Sequence, residues 1–257
     1  MAISVQADPR ADRSIYKDPR ATRDYVIANE GAQQRFQSSL GAHLPIDPHY
    51  PDPQAVHSTY LLPNNVDPHA PRVDVRLREY LGPAASQPAN DSQRAVFVEL
   101  KDRLPGDLQK KSRVGVTPDA LKRMANGESA HVALGVAERS GDDRATAQRV
   151  ADLLDGGFRL GNRTEYVRSA WENPAGTIRL TVDHQKQVDI ATSAVKDKGI
   201  RLEVKTVGDL AKVEAENPWL RRVLTDSVAA GDMVPKDDAA KVLTTAAKAV
   251  RTLQKLA

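Results

Sequence analysis

The sequence VFVELKDR, residues 96–103, alternates apolar and polar side chains with a period of two along most of its length. This period is the mark of a β-strand, because successive side chains of a strand point to opposite faces of the sheet. One face of the predicted strand carries Glu99, Lys101 and Arg103, and the other is apolar. A strand of this kind is typical of an antiparallel sheet that packs one face on a core.

The same alternation recurs in seven further stretches and predicts eight strands in all. The predicted strands are residues 22–27, 57–62, 72–80, 94–103, 110–117, 164–171, 176–184 and 200–206. Helical patterns occupy some of the intervals, and the predicted helices run over 30–44, 142–154, 218–231 and from about Asp237 onward. The expected fold class is therefore α+β.

The polar faces of six predicted strands are rich in basic residues. Arg and Lys outnumber carboxylates there by ten to four, although the whole chain has 37 Lys plus Arg against 34 Asp plus Glu. The basic residues are Arg76, Arg78, Lys101, Arg103, Lys111, Arg113, Arg168, Arg179, Arg201 and Lys205, and the acidic residues are Asp74, Glu99, Asp183 and Glu203. A solvated sheet face is the simplest interpretation of any single strand. Across six strands the basic excess favours a closed antiparallel barrel of eight strands, with helices packed outside and the charged residues in its lumen.

The composition fits a globular protein that works in water. Of the 257 residues 40% are apolar, and a formal net charge of +3 excludes the bulk basicity of a protein that coats nucleic acid. The chain has no cysteine, which excludes a disulfide scaffold, a thiol nucleophile and a cysteine-containing zinc site. It also lacks an apolar run long enough for a membrane helix. We expect a cytoplasmic protein without membrane insertion and without a nucleic-acid partner.

The chain shows one change in character along its length. Residues 1–20 mix charges throughout and lack the apolar core of a secretory signal, so they are predicted to be a flexible tail. No comparable shift divides residues 21–257, which are predicted to form a single domain that includes the C-terminal helix.

A basic lumen predicts an anionic ligand. Several Lys and Arg side chains that converge from different strands suit a chain of phosphates, which carries several closely spaced negative charges. Glu99 and Glu203 are acidic exceptions among these cations, and we expect them to hold a divalent metal ion that bridges phosphate oxygens. Without the ligand the cations repel one another, so we expect a bound phosphate chain to stabilise the fold.

At these residues the chain resembles the catalytic domain of the vacuolar transporter chaperone (VTC) family, the polyphosphate polymerases within the CYTH-like triphosphate tunnel metalloenzymes. The matching stretches follow the family's order: TRDYVIANEG with HLPI (22–31, 43–46), STYLLPNN (58–65), VRLREY (75–80), VFVELKDR (96–103), KSRVGV (111–116), YVRSAW (166–171), TIRLTVD (177–183) and RLEVK (201–205). The resemblance covers nearly all of the chain after the first 20 residues. It implies an eight-stranded antiparallel tunnel that binds a triphosphate and a divalent metal ion.

The resemblance also implies roles for individual residues. The positions that match phosphate-gripping cations are Arg76, Arg78, Lys101, Lys111, Arg168 and Arg179. Tyr166 matches a phosphate-contacting tyrosine, and Glu203 matches the glutamate that holds the metal. Four more residues lie in the same motifs: Arg113, Lys205 and Arg201 are assigned to the substrate, and Glu99 to the metal.

Three departures from the family's pattern stand out. Asp24 occupies the place of a lysine in the first strand, which removes a phosphate clamp or adds a metal ligand. Tyr60-Leu61-Leu62 replaces the family's Tyr-Phe-Asp, and Lys236 is the nearest counterpart of a Ser-Lys-Tyr motif near the C-terminal helix.

The resulting prediction is a metal-dependent phosphotransferase that moves the terminal phosphate of ATP onto a polyphosphate chain, with Mn²⁺ or Mg²⁺ as cofactor. Alignment and charge neutralisation supply most of the catalysis in phosphoryl transfer, and a basic lumen offers both. With water as the acceptor the same lumen would be a triphosphatase. Without catalytic alignment it would be a binding module for polyphosphate or inositol phosphates.

Overall fold

The computed structural model describes residues 20–48, 50, 52–64, 73–83, 95–103 and 109–236. The predicted flexible tail, apart from Arg20, and the predicted helix from Asp237 lie outside the described residues. The assignment of residues 21–257 to one domain therefore stays a prediction.

Nine strands form a single antiparallel sheet. Their bounds are β1 Arg20–Ile27, β2 Gln54–Pro63, β3 Val73–Pro83, β4 Ala95–Arg103, β5 Gln109–Gly115, β6 Phe158–Glu172, β7 Ile178–Val188, β8 Val195–Val207 and β9 Met233–Pro235. The spatial order is β5-β4-β3-β2-β6-β7-β8-β1-β9. β1 also pairs with β5, where Arg20 lies opposite Gln109, so the first eight strands form a ring. This seam is the shortest of the ring in the described part of the chain. The predicted fold class is confirmed, although the sheet is not strictly closed, since one residue pair joins β1 to β5 among the described residues. β9 is an added strand at the edge of β1.

Six helices occupy the described intervals between strands. They are α1 Glu30–Gly41, α2 Pro118–Ala125, α3 Ala130–Ala133, α4 Gly141–Leu154, α5 Leu210–Glu216 and α6 Pro218–Ala229. α1 begins where predicted, because the side chain of Asn29 accepts a hydrogen bond from the Ala32 amide, but it ends at Gly41 rather than Leu44. α6 begins at the predicted Pro218 and stops before Gly231, whose φ of 73° is a left-handed conformation that suits glycine. No helix among the described residues is long and apolar enough to cross a membrane.

The apolar faces of the strands point outward, under the helices. One buried cluster joins α1, α5 and α6 to β1, β7 and β8, and includes Phe36, Leu180, Leu202 and Leu220. A second cluster joins α2, α3 and α4 to β3, β4 and β5. Because side chains alternate along each strand, burying the apolar faces outside turns the charged faces inward.

The two ends of the barrel are built from different loops. Neighbouring strands are antiparallel, so each end combines the starts of four strands with the ends of the other four. We call one of them the Tyr80 end, where β1, β2, β4 and β7 start and where β3, β5, β6 and β8 finish. At the opposite end, which we call the Asp74 end, β3, β5, β6 and β8 start.

Candidate active site

The strand register brings the predicted site residues onto the inner face of the barrel. The cross-strand pairs among them are Arg76 with Glu99, Glu99 with Arg113, Lys101 with Lys111, Arg168 with Asp183, Asp183 with Arg201, and Arg179 with Lys205. Glu203 lies on the same face and pairs with Thr181 on one side and with Asp24 on the other. Tyr166 lies on the inner face of β6, two residues from Arg168. The lumen is therefore lined by charges from seven strands.

Glu99 lies at the centre of an arginine cluster. Its carboxylate is only 1% exposed and accepts a hydrogen bond from Arg76 Nε at 2.8 Å. Arg78 Nη1 lies 3.4 Å from Oε2, and Arg113 Nη2 lies 3.8 Å from the same oxygen. Burial alone would raise the pKa of Glu99, but the nearby charges of Arg76, Arg78, Lys111 and Arg113 outweigh it and hold the pKa well below its usual range. Glu99 is thus an ionised anchor that holds three guanidinium groups together.

Two more arginines are paired with buried carboxylates. Arg168 donates from Nε and Nη2 to the two oxygens of Asp183, at 2.7 and 2.6 Å, in a bidentate pair. Arg179 donates from Nε to Asp47 Oδ2 at 3.1 Å, and its Nη2 lies 3.0 Å from the same oxygen. Asp47 comes from the loop between α1 and β2 and is fully buried. Sequence reasoning missed Asp47, because a carboxylate in an irregular proline-rich loop has no periodicity that would reveal its contacts.

An aromatic cluster fills the Tyr80 end of the lumen. Tyr50, Val56, Tyr80, Phe97, Tyr166 and Ala170 form one buried group. The ring centroids of Tyr50 and Tyr80 are 6.4 Å apart, and those of Tyr80 and Phe97 are 6.1 Å apart. Guanidinium groups lie over these rings, with Arg179 at 5.1 Å from Tyr50 and Arg168 at 4.9 Å from Tyr166. Buried cations and rings therefore stabilise each other in this part of the lumen.

The charge of Arg78 and Arg113 also acts on Tyr80. Burial opposes ionisation of this phenol, but the two guanidinium groups more than compensate and lower its pKa to about 7. Tyr80 is 2% exposed, so the lowered pKa reflects the positive field inside the barrel rather than contact with water.

Two lysines and a glutamate form a further charged group, with Lys111 on β5 and Glu203 and Lys205 on β8. Lys205 donates a hydrogen bond to Glu203. Burial lowers the pKa of Lys205 to about 8 despite this partner, and Arg168 and Arg179 add to the effect. Burial also lowers the pKa of Lys111 well below its usual range, with Lys205 as the next cause. Glu203 shows the opposite effect: although burial opposes its ionisation, Lys205 and Lys111 hold its pKa well below the ordinary value.

Several polar groups of the lumen lack a hydrogen-bond or ion-pair partner among the residues that the structure describes. Lys111 makes no ion pair with any carboxylate that the structure describes, and no hydrogen bond is formed by the Nε of Arg201. The hydroxyl groups of Tyr166 and Thr181 are likewise buried without a hydrogen-bond partner. Buried polar groups of folded proteins are nearly always hydrogen-bonded, to protein, water or ligand. These four groups therefore mark the part of the lumen that remains available for a ligand.

Asp24 and Lys236 form an ion pair beside Glu203. Lys236 Nζ lies 3.0 Å from Asp24 Oδ2, and the two side chains are 47% and 31% exposed. Lys236 follows β9, whose antiparallel pairing with Tyr25–Ile27 of β1 brings the lysine beside Asp24. A cation from the C-terminal part of the chain thus accompanies the acidic residue in β1.

The carboxylates of the lumen offer few ligands for a metal ion. No group of three or more His, Asp or Glu side chains is close enough to hold one within the described part of the chain. Glu99 is already surrounded by three guanidinium groups. Glu203 fits a metal better, since it is partly exposed and neighbours Asp24 across the β1–β8 seam. Mg²⁺ commonly uses one or two carboxylates and completes its shell with water and substrate phosphates.

Two cavities of about 470 and 350 Å³ lie outside the barrel. The larger one borders α1 and Trp171, and the smaller one lies between β1 and α6. Neither cavity is lined by a charged residue of the lumen.

No protein-family model matches the chain, and no curated protein is significantly similar to it in sequence. Among solved structures, a candidate adenylate cyclase from Bacillus halodurans is 13% identical with a TM-score of 0.46, over 81% of this chain and 91% of that one. The PH1819 protein from Pyrococcus horikoshii is 14% identical with a TM-score of 0.43, over 78% and 85%. The RNA triphosphatase domain of the mimivirus mRNA capping enzyme is 12% identical with a TM-score of 0.40, over 84% and 90%. At these identities the family of the chain stays open, and membership of the VTC family remains a prediction.

Proposed function

We propose that the lumen binds the triphosphate group of ATP or a linear polyphosphate and, with a divalent metal ion, transfers its terminal phosphate. One observation carries this proposal: among the described residues, Lys111 forms no ion pair, and the Nε of Arg201 and the hydroxyl groups of Tyr166 and Thr181 are buried without a hydrogen-bond partner. A chain of phosphates would supply acceptors to all four.

The depressed lysine pKa values support an anionic ligand. Lys205 and Lys111 lose affinity for protons because they are desolvated near other cations. An oligophosphate would reverse this, because its negative charges favour the protonated amines at contact distance. Binding free energy would come from attraction between the phosphates and the protonated lysines and from the new hydrogen bonds, and any proton that a lysine must take up would be a cost.

The remaining site residues form the wall around this ligand. Arg76, Arg78 and Arg113 are held by Glu99, so in this proposal Glu99 positions cations and Glu203 alone of the two predicted glutamates contacts the metal. Arg168 and Arg179 add positive charge deeper in the lumen. Lys101 is half-buried at the Asp74 end, where the trailing part of a longer chain would pass.

Glu203 and Asp24 would hold Mg²⁺ or Mn²⁺. When bound, the ion would neutralise charge on the phosphate oxygens during transfer. Lys205 donates a hydrogen bond to one oxygen of Glu203, so a bound metal ion and the lysine would share this carboxylate.

The reaction breaks the bridging bond between the terminal phosphorus and its neighbouring oxygen. An acceptor oxygen forms the new bond to phosphorus and loses its proton to solvent, while the shortened phosphate chain leaves with the electron pair. Water as acceptor gives free phosphate, and the end of a phosphate chain gives polyphosphate. In either case the lysines and arginines of the lumen orient the chain and stabilise the negative charge that develops on it.

The direct test incubates the purified protein with ATP or tripolyphosphate and Mn²⁺ or Mg²⁺ and separates the products on a gel. Free phosphate indicates a triphosphatase, and long chains indicate the predicted polyphosphate polymerase. Tight binding of tripolyphosphate without any product indicates a binding module, for which inositol hexakisphosphate is the next ligand to titrate. A protein that neither binds nor consumes tripolyphosphate would overturn the proposal.

The variant Glu203→Gln tests metal binding separately from phosphate binding. The variant keeps the shape of the side chain and removes its charge, so we expect metal-dependent turnover to collapse while metal-free binding of tripolyphosphate persists or strengthens. Glu79→Gln is the matched control, since Glu79 lies on the outward face of β3. Full activity of Glu203→Gln would refute the metal role, and loss of phosphate binding would show that Glu203 is structural.

A further inference from the structure

We infer that the lumen formed by the described residues is open at one end only, so that it takes the end of a linear phosphate chain and releases the product through the same opening. This inference rests on the proposed function and narrows its substrate class to chain ends. A tunnel with the same lining but open at both ends would let a phosphate chain pass through the barrel. Whether the Tyr80 end is closed therefore distinguishes a one-ended lumen from such a tunnel.

The loop between α1 and β2 is fastened across the Tyr80 end by its backbone. The amide of Asp47 donates to the carbonyl of Ala170 at 2.9 Å, and the amide of Glu172 donates to the carbonyl of Pro45 at 3.2 Å. Ile46 also forms a bridge with Trp171. These contacts fix the loop to the last residues of β6, which surround this end of the lumen.

Side chains of the same loop enter the lumen. Asp47 is fully buried against Arg179, and Tyr50 is 3% exposed between Arg179 and Tyr80. The rings of Tyr80 and Phe97 continue the seal toward β4. A phosphate chain could leave at this end only if a buried ion pair and several packed rings separated, and each of these is costly to disrupt.

Exposure of the lumen side chains rises from the Tyr80 end to the Asp74 end. Along β3, Tyr80 is 2% exposed, and the side chains of Arg78 and Arg76 are 6% and 12% exposed. Along the opposite wall, Lys205 is 7% and Glu203 is 23% exposed. In the part of the chain that the structure describes, both walls therefore open toward solvent in the same direction.

A lumen with this shape distinguishes the ends of a phosphate chain from its interior. Only a terminal segment can reach the buried hydroxyl groups of Tyr166 and Thr181, while the rest of a longer chain extends past Asp24 and Lys236 into solvent. Phosphates would then be removed from the ends of the chain, one terminal group at a time. Internal phosphates would not be cleaved.

The test measures how many protein molecules bind one linear polyphosphate as its length increases. Chains of several defined lengths are titrated against the wild-type protein, with sedimentation velocity to size the complexes and salt high enough to suppress surface binding. We expect two protein molecules, one at each end, on every chain that is long enough to hold two, with no further increase as the chain lengthens. A number that grows with length would overturn the inference, because it requires proteins to thread onto the chain.

Two further arms separate this inference from the proposed function. Tripolyphosphate should bind in a one-to-one complex; if it does not bind at all, the proposed function fails together with the inference. A long chain blocked at both ends by bulky groups should not bind. Equal binding of blocked and unblocked chains would place the ligand on the outer surface and would also overturn the one-ended lumen.

Discussion

The two ends of the barrel hold similar charges in different ways. At the Tyr80 end, Arg179 and Arg168 are almost fully buried against Asp47 and Asp183. Closer to the Asp74 end, Lys111 forms no ion pair with a described carboxylate, and the side chains of the pair Lys236 and Asp24 are 47% and 31% exposed. The buried pairs at the Tyr80 end are needed for folding, because removing one partner would leave the other as an unpaired charge in the protein interior. The more exposed charges closer to the Asp74 end remain available for a ligand.

An Asp→Asn substitution in each of the two regions should give the largest difference in the free energy of unfolding. Asp47→Asn removes the charge that pairs with buried Arg179 and should lower the free energy of unfolding by about 3–5 kcal/mol. Asp24→Asn breaks an exposed pair and should change it by about 0–1 kcal/mol. Urea denaturation of both variants measures these values. If the two substitutions cost the same, the Tyr80 end is not sealed in the way described.

The pH dependence of binding sharpens the comparison at Lys205. Because burial lowers the pKa of this lysine to about 8, a phosphate ligand must bring a proton with it at higher pH. Tripolyphosphate affinity should therefore fall as the pH rises above 8, by up to roughly tenfold per pH unit. Lys205→Arg stays protonated over this range and should flatten the profile. Calorimetric titrations at several pH values test this, and an unchanged slope in Lys205→Arg would contradict the assignment to Lys205.

The stability of the ligand-free protein should change in the opposite direction. The pKa of Lys205 is lower in the folded protein than in the unfolded chain, so the unfolded chain binds more protons between about pH 8 and the ordinary lysine pKa. Lys205 therefore contributes a rise in stability with pH across this window. Urea denaturation of the wild type should show a steeper rise than Lys205→Arg, and equal slopes would argue against the lowered pKa.

The smallest expected effect is a change in the ultraviolet absorption of one tyrosine, Tyr80. Its pKa of about 7 predicts a tyrosinate absorption band that appears near neutral pH, well before those of ordinary tyrosines. Tyr80→Phe should remove this band and leave the rest of the titration unchanged. A band that persists in Tyr80→Phe would assign the early titration to another tyrosine.

Much of the fold could be predicted from the alternation of side chains alone. The strand that contains Glu99 and the strand that contains Glu203 lie where expected, and their charged faces point into the lumen. Helix α1 begins at the predicted Glu30 because a capping residue precedes it. Periodicity predicts these elements well, because burial of one strand face depends on the pattern within the strand itself.

The sealed end could not be predicted in the same way. Asp47 and Tyr50 lie in an irregular loop, and their partners are more than a hundred residues away or in a different strand. One sequence signal was available but not used: Phe97 and Tyr80 share a strand face with the charged residues. Aromatic residues at one end of otherwise charged faces indicate where a lumen is filled rather than lined.

Calorimetric titration of tripolyphosphate into the wild type, Lys111→Met and Lys110→Met tests the central claim most directly. Lys111 lies inside the barrel and forms no ion pair with a described carboxylate, whereas its neighbour Lys110 is exposed on the other face of β5. We expect Lys111→Met to lose roughly 10- to 100-fold in affinity without loss of stability, and Lys110→Met to bind like the wild type. Equal affinities in all three proteins would show that the phosphate chain does not bind in the lumen.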